Sequence, residues 1–230
     1  MRRSTLKLPG LSIWGDSILK GVVFDEGRGR YVVYRDNCVR RLSRDAGVEV
    51  DNYAMMGSTS EQGLARMDDQ TMKSGNIAVI EFGGNDCDQD WAAASEHPEQ
   101  MQSGRVPLRA FGENLRGMVQ KAHSAGMLPA LVTPPPLVAQ RYFDWVSRNL
   151  DAGRILSYLG DVEHIYRWQE RYALMIRKIA RQENVALLDM RDLFLSQNRF
   201  TDLMCVDGIH PNPAGHELLY NEFISILQNA

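Results

Sequence analysis

The feature that most constrains the fold of this chain is an alternation. Five short, β-rich apolar runs recur along it, and most are followed by a longer stretch with apolar residues at helical spacing. The runs are 11–14 (Leu-Ser-Ile-Trp), 47–51 (Gly-Val-Glu-Val-Asp), 77–82 (Ile-Ala-Val-Ile-Glu-Phe), 128–133 (Leu-Pro-Ala-Leu-Val-Thr) and 185–189 (Val-Ala-Leu-Leu-Asp). Such alternation folds through βαβ crossovers, so it predicts an α/β protein with a parallel sheet covered by helices on both faces. The third and fifth runs are nearly continuous in apolar residues, as strands buried on both sides require. Helices are expected near 30–45, 60–73, 108–125, 163–182 and 213–228. The last has a defined start: Asn212 can cap, Pro213 occupies the first turn, and Leu218, Leu219, Phe223, Ile226 and Leu227 follow at helical spacing.

At 230 residues the chain can bury a full core without disulfides or metals, and it is expected to form one domain, 1–230. About fifty residues separate the fourth and fifth runs, more than one crossover helix needs, so 134–162 is read as an insertion. It opens with Pro134-Pro135-Pro136 and carries Tyr142, Phe143, Trp145 and Tyr158, aromatics suited either to packing it down or to walling a pocket.

Composition excludes several classes. A formal charge of -3 without a basic patch argues against nucleic acid, and no run approaches the roughly 18 apolar residues of a membrane span. Cys38, Cys87 and Cys205 are odd in number and lack a Cys-x-x-Cys pair, so neither a disulfide framework nor a zinc site is expected. Lys7, Pro9 and Gly10 interrupt the stretch after Arg2-Arg3, and a cleaved leader of ordinary length would remove Ser17. The sequence is therefore read as a mature cytoplasmic protein. Oligomeric state is not legible in it.

In an open parallel sheet, ligands bind beyond the carboxyl ends of the strands. Gly15-Asp16-Ser17 falls just after the first run, Asn52 to Gly57-Ser58-Thr59 after the second, and Gly83-Gly84-Asn85-Asp86 after the third. Asp207-Gly208-Ile209-His210-Pro211 follows the last run and precedes the final helix. A serine hydroxyl needs a base to become a nucleophile, and imidazole suits neutral pH. With Asp207 and His210 three residues apart, the carboxylate can accept from Nδ1 while Nε2 faces outward. The N–H groups of Ser17 and Gly57 and the Asn85 amide are candidate donors to a developing oxyanion.

These four blocks, in this order, resemble the SGNH hydrolases, or GDSL-type esterase/lipase superfamily, named for a Ser, Gly, Asn and His in separated motifs. Gly15-Asp16-Ser17 resembles the nucleophile block, with Ile18 where many members have Leu. Gly83-Gly84-Asn85-Asp86 and Asp207-Gly208-Ile209-His210-Pro211 match the third and last blocks, and the second, with Asn52 and Gly57, is the loosest. The resemblance implies a flavodoxin-like α/β/α fold with sheet order 2-1-3-4-5. It also implies an acyl-serine intermediate at Ser17, His210 and Asp207, an oxyanion hole of Ser17, Gly57 and Asn85, and no cofactor or metal. The expected substrate is a small acetyl or short acyl ester, on a carbohydrate or metabolite. Thioesterase, lysophospholipase and acyltransferase activities belong to the same scaffold. Two rival readings make Asp207, His210 and His216 ligands of a hydrolytic metal, or make the chain a non-catalytic flavodoxin-like binding protein.

Overall fold

The computed structural model describes residues 9–100 and 103–229, so Arg2 and Arg3 lie outside the described residues. Its seven strands are β1 (Leu11–Gly15), β2 (Val22–Asp25), β3 (Arg30–Val33), β4 (Val50–Asn52), β5 (Ile77–Glu81), β6 (Leu128–Val132) and β7 (Ala186–Leu188). Five of them form a parallel sheet in the order β4-β1-β5-β6-β7, which is 2-1-3-4-5 counted along the sheet strands. The order reverses between β1 and β5, so their carboxyl ends border a crevice.

Side chains alternate across each strand and feed two cores. Leu11, Ile13, Val79 and Val132 join a cluster on one face with Leu219, Phe223 and Leu227 of the final helix. Trp14, Ala78, Ile80 and Leu131 join a cluster on the other face with Phe111, Leu115, Tyr172 and Ile176. Helices Leu108–Ser124 and Glu163–Gln182, both expected from the sequence, cover that second face. The final helix, Pro213–Asn229, begins where it was expected to: Asn212 Oδ1 accepts the N–H groups of Ala214 and Gly215 at 3.0 and 3.1 Å.

Three expectations are corrected: the helix expected over 60–73 stops at Arg66; the fifth run, β7, is an edge strand with Ala186 and Leu187 exposed rather than buried on both faces; and the helix expected from residue 30 starts later. Residues 30–33 are not helical; β2 and β3 form an antiparallel hairpin, and the helix begins only at Cys38, running to Ala46. The turn between the strands, Glu26-Gly27-Arg28-Gly29, supplies the glycines a hairpin uses, with Gly29 at φ 61°. The stretch 134–162 folds into helices Ala139–Val146 and Ala152–Leu159, whose buried residues form a third cluster with Ile165.

Candidate active site

Ser17 opens a four-residue helix, Ser17–Lys20, directly after β1. Asp16 caps it, its Oδ1 accepting from Ile18 N–H at 2.9 Å, while the Ser17 N–H, at the first helical position, has no intrahelical acceptor. Ser17 Oγ lies 2.8 Å from His210 Nε2, and His210 Nδ1 lies 2.6 Å from Asp207 Oδ2. All three side chains are buried.

The Asp207–His210 turn is held from several sides. Asp207 Oδ1 accepts the N–H groups of Ile209 and His210 at 3.0 and 3.2 Å. Gly208 stands at φ 77°, where a Cβ would lie 2.7 Å from the Val138 carbonyl oxygen, so both conformation and space demand glycine. Val138 N–H donates to Gly208 O at 2.8 Å, and the Arg141 guanidinium donates to Thr201 O and Met204 O. Thus the stretch after Pro136 buttresses the loop that carries His210.

Tyr31 was missed by the sequence reading. Its hydroxyl donates to Asp207 Oδ2 at 3.0 Å and its ring lies 5.1 Å from the His210 ring, while Phe24 and Trp145 pack around it edge-on. The two short β-branched and aromatic runs either side of Gly27 and Gly29, Val22-Val23-Phe24 and Tyr31-Val32-Val33, are the signal of a hairpin that places it on a strand. Burial by itself raises the Asp207 carboxyl, but the hydrogen bond and charge of His210, with the two backbone donors, hold it below its ordinary value.

On the other side of Ser17 lies a second carboxylate system. Asn85, on the short helix Gly84–Cys87 after β5, donates from Nδ2 to Asp16 Oδ2 at 3.0 Å. Asp16 N–H approaches Oε2 of Glu81, the last residue of β5, at 3.3 Å, and both carboxyls are buried. Burial raises both, and Glu81, which also faces the Asp16 charge, goes well above its ordinary value. Asp86 knits the neighbouring loops together, accepting from Ser60 N–H at 2.9 Å, from Ser60 Oγ and from Gly83 N–H. Asn52 ties the second block to the first, donating to Leu19 O at 2.8 Å. Gly57 sits at φ 76° in the turn between Met55 and Ser58.

These blocks converge on one cavity of about 210 Å³, lined by Ser17, His210, Gly57 and Asn85. Its walls are chiefly apolar, with Trp91, Tyr142 and Trp168 prominent; of the four aromatics flagged in 134–162, Tyr142 reaches it, while Trp145 packs against Phe24 and Tyr31. The His216 ring is buried against Tyr34, and burial pushes its pKa down to about 4. Among the described residues, no group of three or more His, Cys, Asp or Glu could hold a metal ion. No described helix is long and apolar enough to cross a membrane.

A serine, imidazole and carboxylate in hydrogen-bonded series at the switch point of a parallel sheet, beside an amide and a turn glycine, is the arrangement of an ester-hydrolase fold. The pattern of the GDSL-like Lipase/Acylhydrolase family matches residues 13–218. The chain belongs to that family, a class of carboxylic ester hydrolases. Among curated proteins it is 26% identical over 226 residues to the isoamyl acetate-hydrolyzing esterase 1 homolog of Rattus norvegicus, covering 94% of this chain and 80% of that one. The Mus musculus homolog is 28% identical over 160 residues, covering 68% of this chain but only 57% of its own length. Among solved structures, a lipase/acylhydrolase from Enterococcus faecalis superposes with a TM-score of 0.66 at 21% identity, covering 96% of each chain. An acetylxylan esterase from Geobacillus stearothermophilus gives 0.61 at 19% identity, again over 96% of each. These structural likenesses concern the fold.

Proposed function

We propose that this protein hydrolyses a small carboxylic ester through an acyl-serine intermediate, with Ser17 as nucleophile, His210 as general base and acid, and Asp207 orienting the imidazole. The observation that carries the reading is the continuous series from Asp207 Oδ2 to His210 Nδ1 at 2.6 Å and from His210 Nε2 to Ser17 Oγ at 2.8 Å. His210 takes the hydroxyl proton as Oγ bonds to the ester carbonyl carbon, and Asp207 stabilises the imidazolium that forms. The tetrahedral oxyanion is held by the N–H groups of Ser17 and Gly57 and by Asn85. Collapse breaks the bond to the alcohol oxygen, which receives the proton from His210. Water, deprotonated by the same imidazole, then attacks the acyl-serine and releases the acid with Ser17 restored.

A short acyl or acetyl ester is the substrate class best supported: a cavity of about 210 Å³ is smaller than the roughly 300–1,000 Å³ of drug-sized ligand pockets, and curated relatives are named for hydrolysing isoamyl acetate. The reading takes the chain as one hydrolase domain in which 134–162 is an insertion bracing the catalytic loop. Three buried free thiols agree with a reducing, cytoplasmic setting.

Labelling with a fluorophosphonate followed by peptide mapping tests the assignment. Modification of Ser17, abolished by Ser17→Ala together with turnover of p-nitrophenyl acetate, is the expected result; label on another residue overturns it. Over p-nitrophenyl esters from two to sixteen carbons, the rate should favour the shortest, and preference for the longest would remove the small-ester reading.

A further inference from the structure

Behind the cavity wall contributed by helix Glu163–Gln182, one guanidinium is fully enclosed. Arg191, in the first turn of helix Met190–Leu195, has a side chain with 0% exposure. A buried cation persists only with partners, and Arg191 has three: an ion pair with Glu170, the Tyr166 ring 4.6 Å away, and the amide oxygen of Gln169, to which Nη1 donates at 2.7 Å. The same Gln169 oxygen faces the backbone N–H of Leu137 at 3.3 Å. Both neighbours are groups that can only donate. Chemistry therefore fixes the amide: Oε1 must face Arg191 and Leu137, and the Nε2 hydrogens must point away from them.

Gln169 is 5% exposed and lines the cavity that holds Ser17 and His210. Its Nε2 has no acceptor among the described residues, yet the wall around it is made by Pro135, Leu137, Ile165 and Trp168. Nε2 is not among the enclosed unpartnered atoms, so this donor, fixed by a buried arginine, is open to the cavity and to any acceptor that enters it.

We infer that Gln169 is a specificity-determining residue: its Nε2 donates to an acceptor oxygen that the substrate carries in addition to its ester group, and Arg191 is the positioning residue that fixes the amide. The ligand class is an ester with an ether, hydroxyl or carbonyl oxygen in its acyl or alcohol chain, rather than a plain alkyl ester. This deepens, and rests on, the ester-hydrolase reading of the same cavity.

The test uses two matched pairs of esters: 2-methoxyethyl acetate against n-butyl acetate, and p-nitrophenyl 3-methoxypropionate against p-nitrophenyl valerate. Within each pair one oxygen replaces one methylene. The ratio of kcat/KM, oxygenated over alkyl, is measured for the unaltered protein, Gln169→Met and Gln169→Glu, each normalised to hydroxide-catalysed hydrolysis. Gln169→Met removes the donor; Gln169→Glu keeps a group for Arg191 but presents lone pairs to the cavity. In at least one pair the ratio should fall about three- to tenfold in both variants, the worth of one neutral hydrogen bond. An unchanged ratio in both pairs, in either variant whose melting temperature shows it folded, overturns the inference. Fluorophosphonate labelling of the unaltered protein separates the two claims: labelling at Ser17 with an unchanged ratio sinks the Gln169 role alone, whereas label elsewhere sinks the hydrolase reading beneath it.

Discussion

Two buried aspartates flank Ser17, and their chemistry differs because their neighbours differ. Asp207 faces an imidazole, a tyrosine hydroxyl and two backbone N–H groups, and its carboxyl is held below the ordinary value. Asp16 faces Asn85 and Ile18 N–H but also the buried Glu81, and burial raises its carboxyl. Burial raises both; at Asp207 the hydrogen bond and charge of His210 and two backbone N–H groups outweigh it, whereas at Asp16 the Ile18, Glu81 and Asn85 hydrogen bonds and the His210 charge lower the carboxyl without overcoming it. Asp207 is thereby suited to stabilising an imidazolium, and Asp16 to holding a neutral amide in one orientation.

The most severe way to break this contrast is Asp207→Asn, which leaves the packing but lets the imidazole adopt the wrong tautomer. In stopped-time assays kcat should drop by about 10⁴, the loss known for the equivalent change in a serine triad; a drop under tenfold would demote Asp207 to a structural role. Next comes Asn85→Ala, which removes the donor on the Asp16 side. Its kcat should fall roughly 10²–10³ with a smaller change in KM, and an effect confined to KM would make Asn85 a binding residue only.

Asp16→Asn should reduce kcat by roughly ten- to a hundredfold, the range of a lost hydrogen bond to a charged acceptor. Because it acts through Asn85, the two losses should not add in the double variant; full additivity would separate Asp16 from Asn85. Tyr31→Phe removes one of the donors to Asp207 and should lower kcat about three- to tenfold.

Glu81→Gln should change activity least, since its amide oxygen can still accept the Asp16 N–H, and it is read instead by melting temperature against pH. The Glu81 carboxyl is raised in the folded protein from its ordinary 4.5, so the folded state retains a proton that the unfolded chain has lost. The stability from that proton is fully present below pH 4.5 and is lost as pH rises through the folded pKa. The variant lacks this titration, so relative to the unaltered protein its melting temperature should climb as pH rises from 4.5 towards the raised folded pKa and level off above it. Parallel curves would show that the Glu81 carboxyl is not raised on folding.

The legibility of the site in the sequence followed the same division. Gly15-Asp16-Ser17, Gly83-Gly84-Asn85-Asp86 and Asp207-Gly208-Ile209-His210-Pro211 are short motifs at strand ends or a helix start, and strand ends can be placed from period and turn residues alone. The structure brings Ser17 Oγ within 2.8 Å of His210 Nε2 across 193 positions. Residues 30–33 form a strand only four residues ahead of the helix from Cys38, and local spacing does not separate so short a strand from the helix behind it. With the hairpin went Tyr31, the hydroxyl donor to Asp207.

By itself, then, the sequence determined the α/β alternation, the parallel sheet and the four blocks of polar residues at its carboxyl edge, because these depend on local periodicity and turn chemistry. Only the tertiary structure decided which carboxylate serves the imidazole and which serves the amide, and that Glu81 and Arg191 lie buried beneath the site. Those properties arise from low dielectric and from partners on separate elements, and no spacing within one strand or helix encodes them.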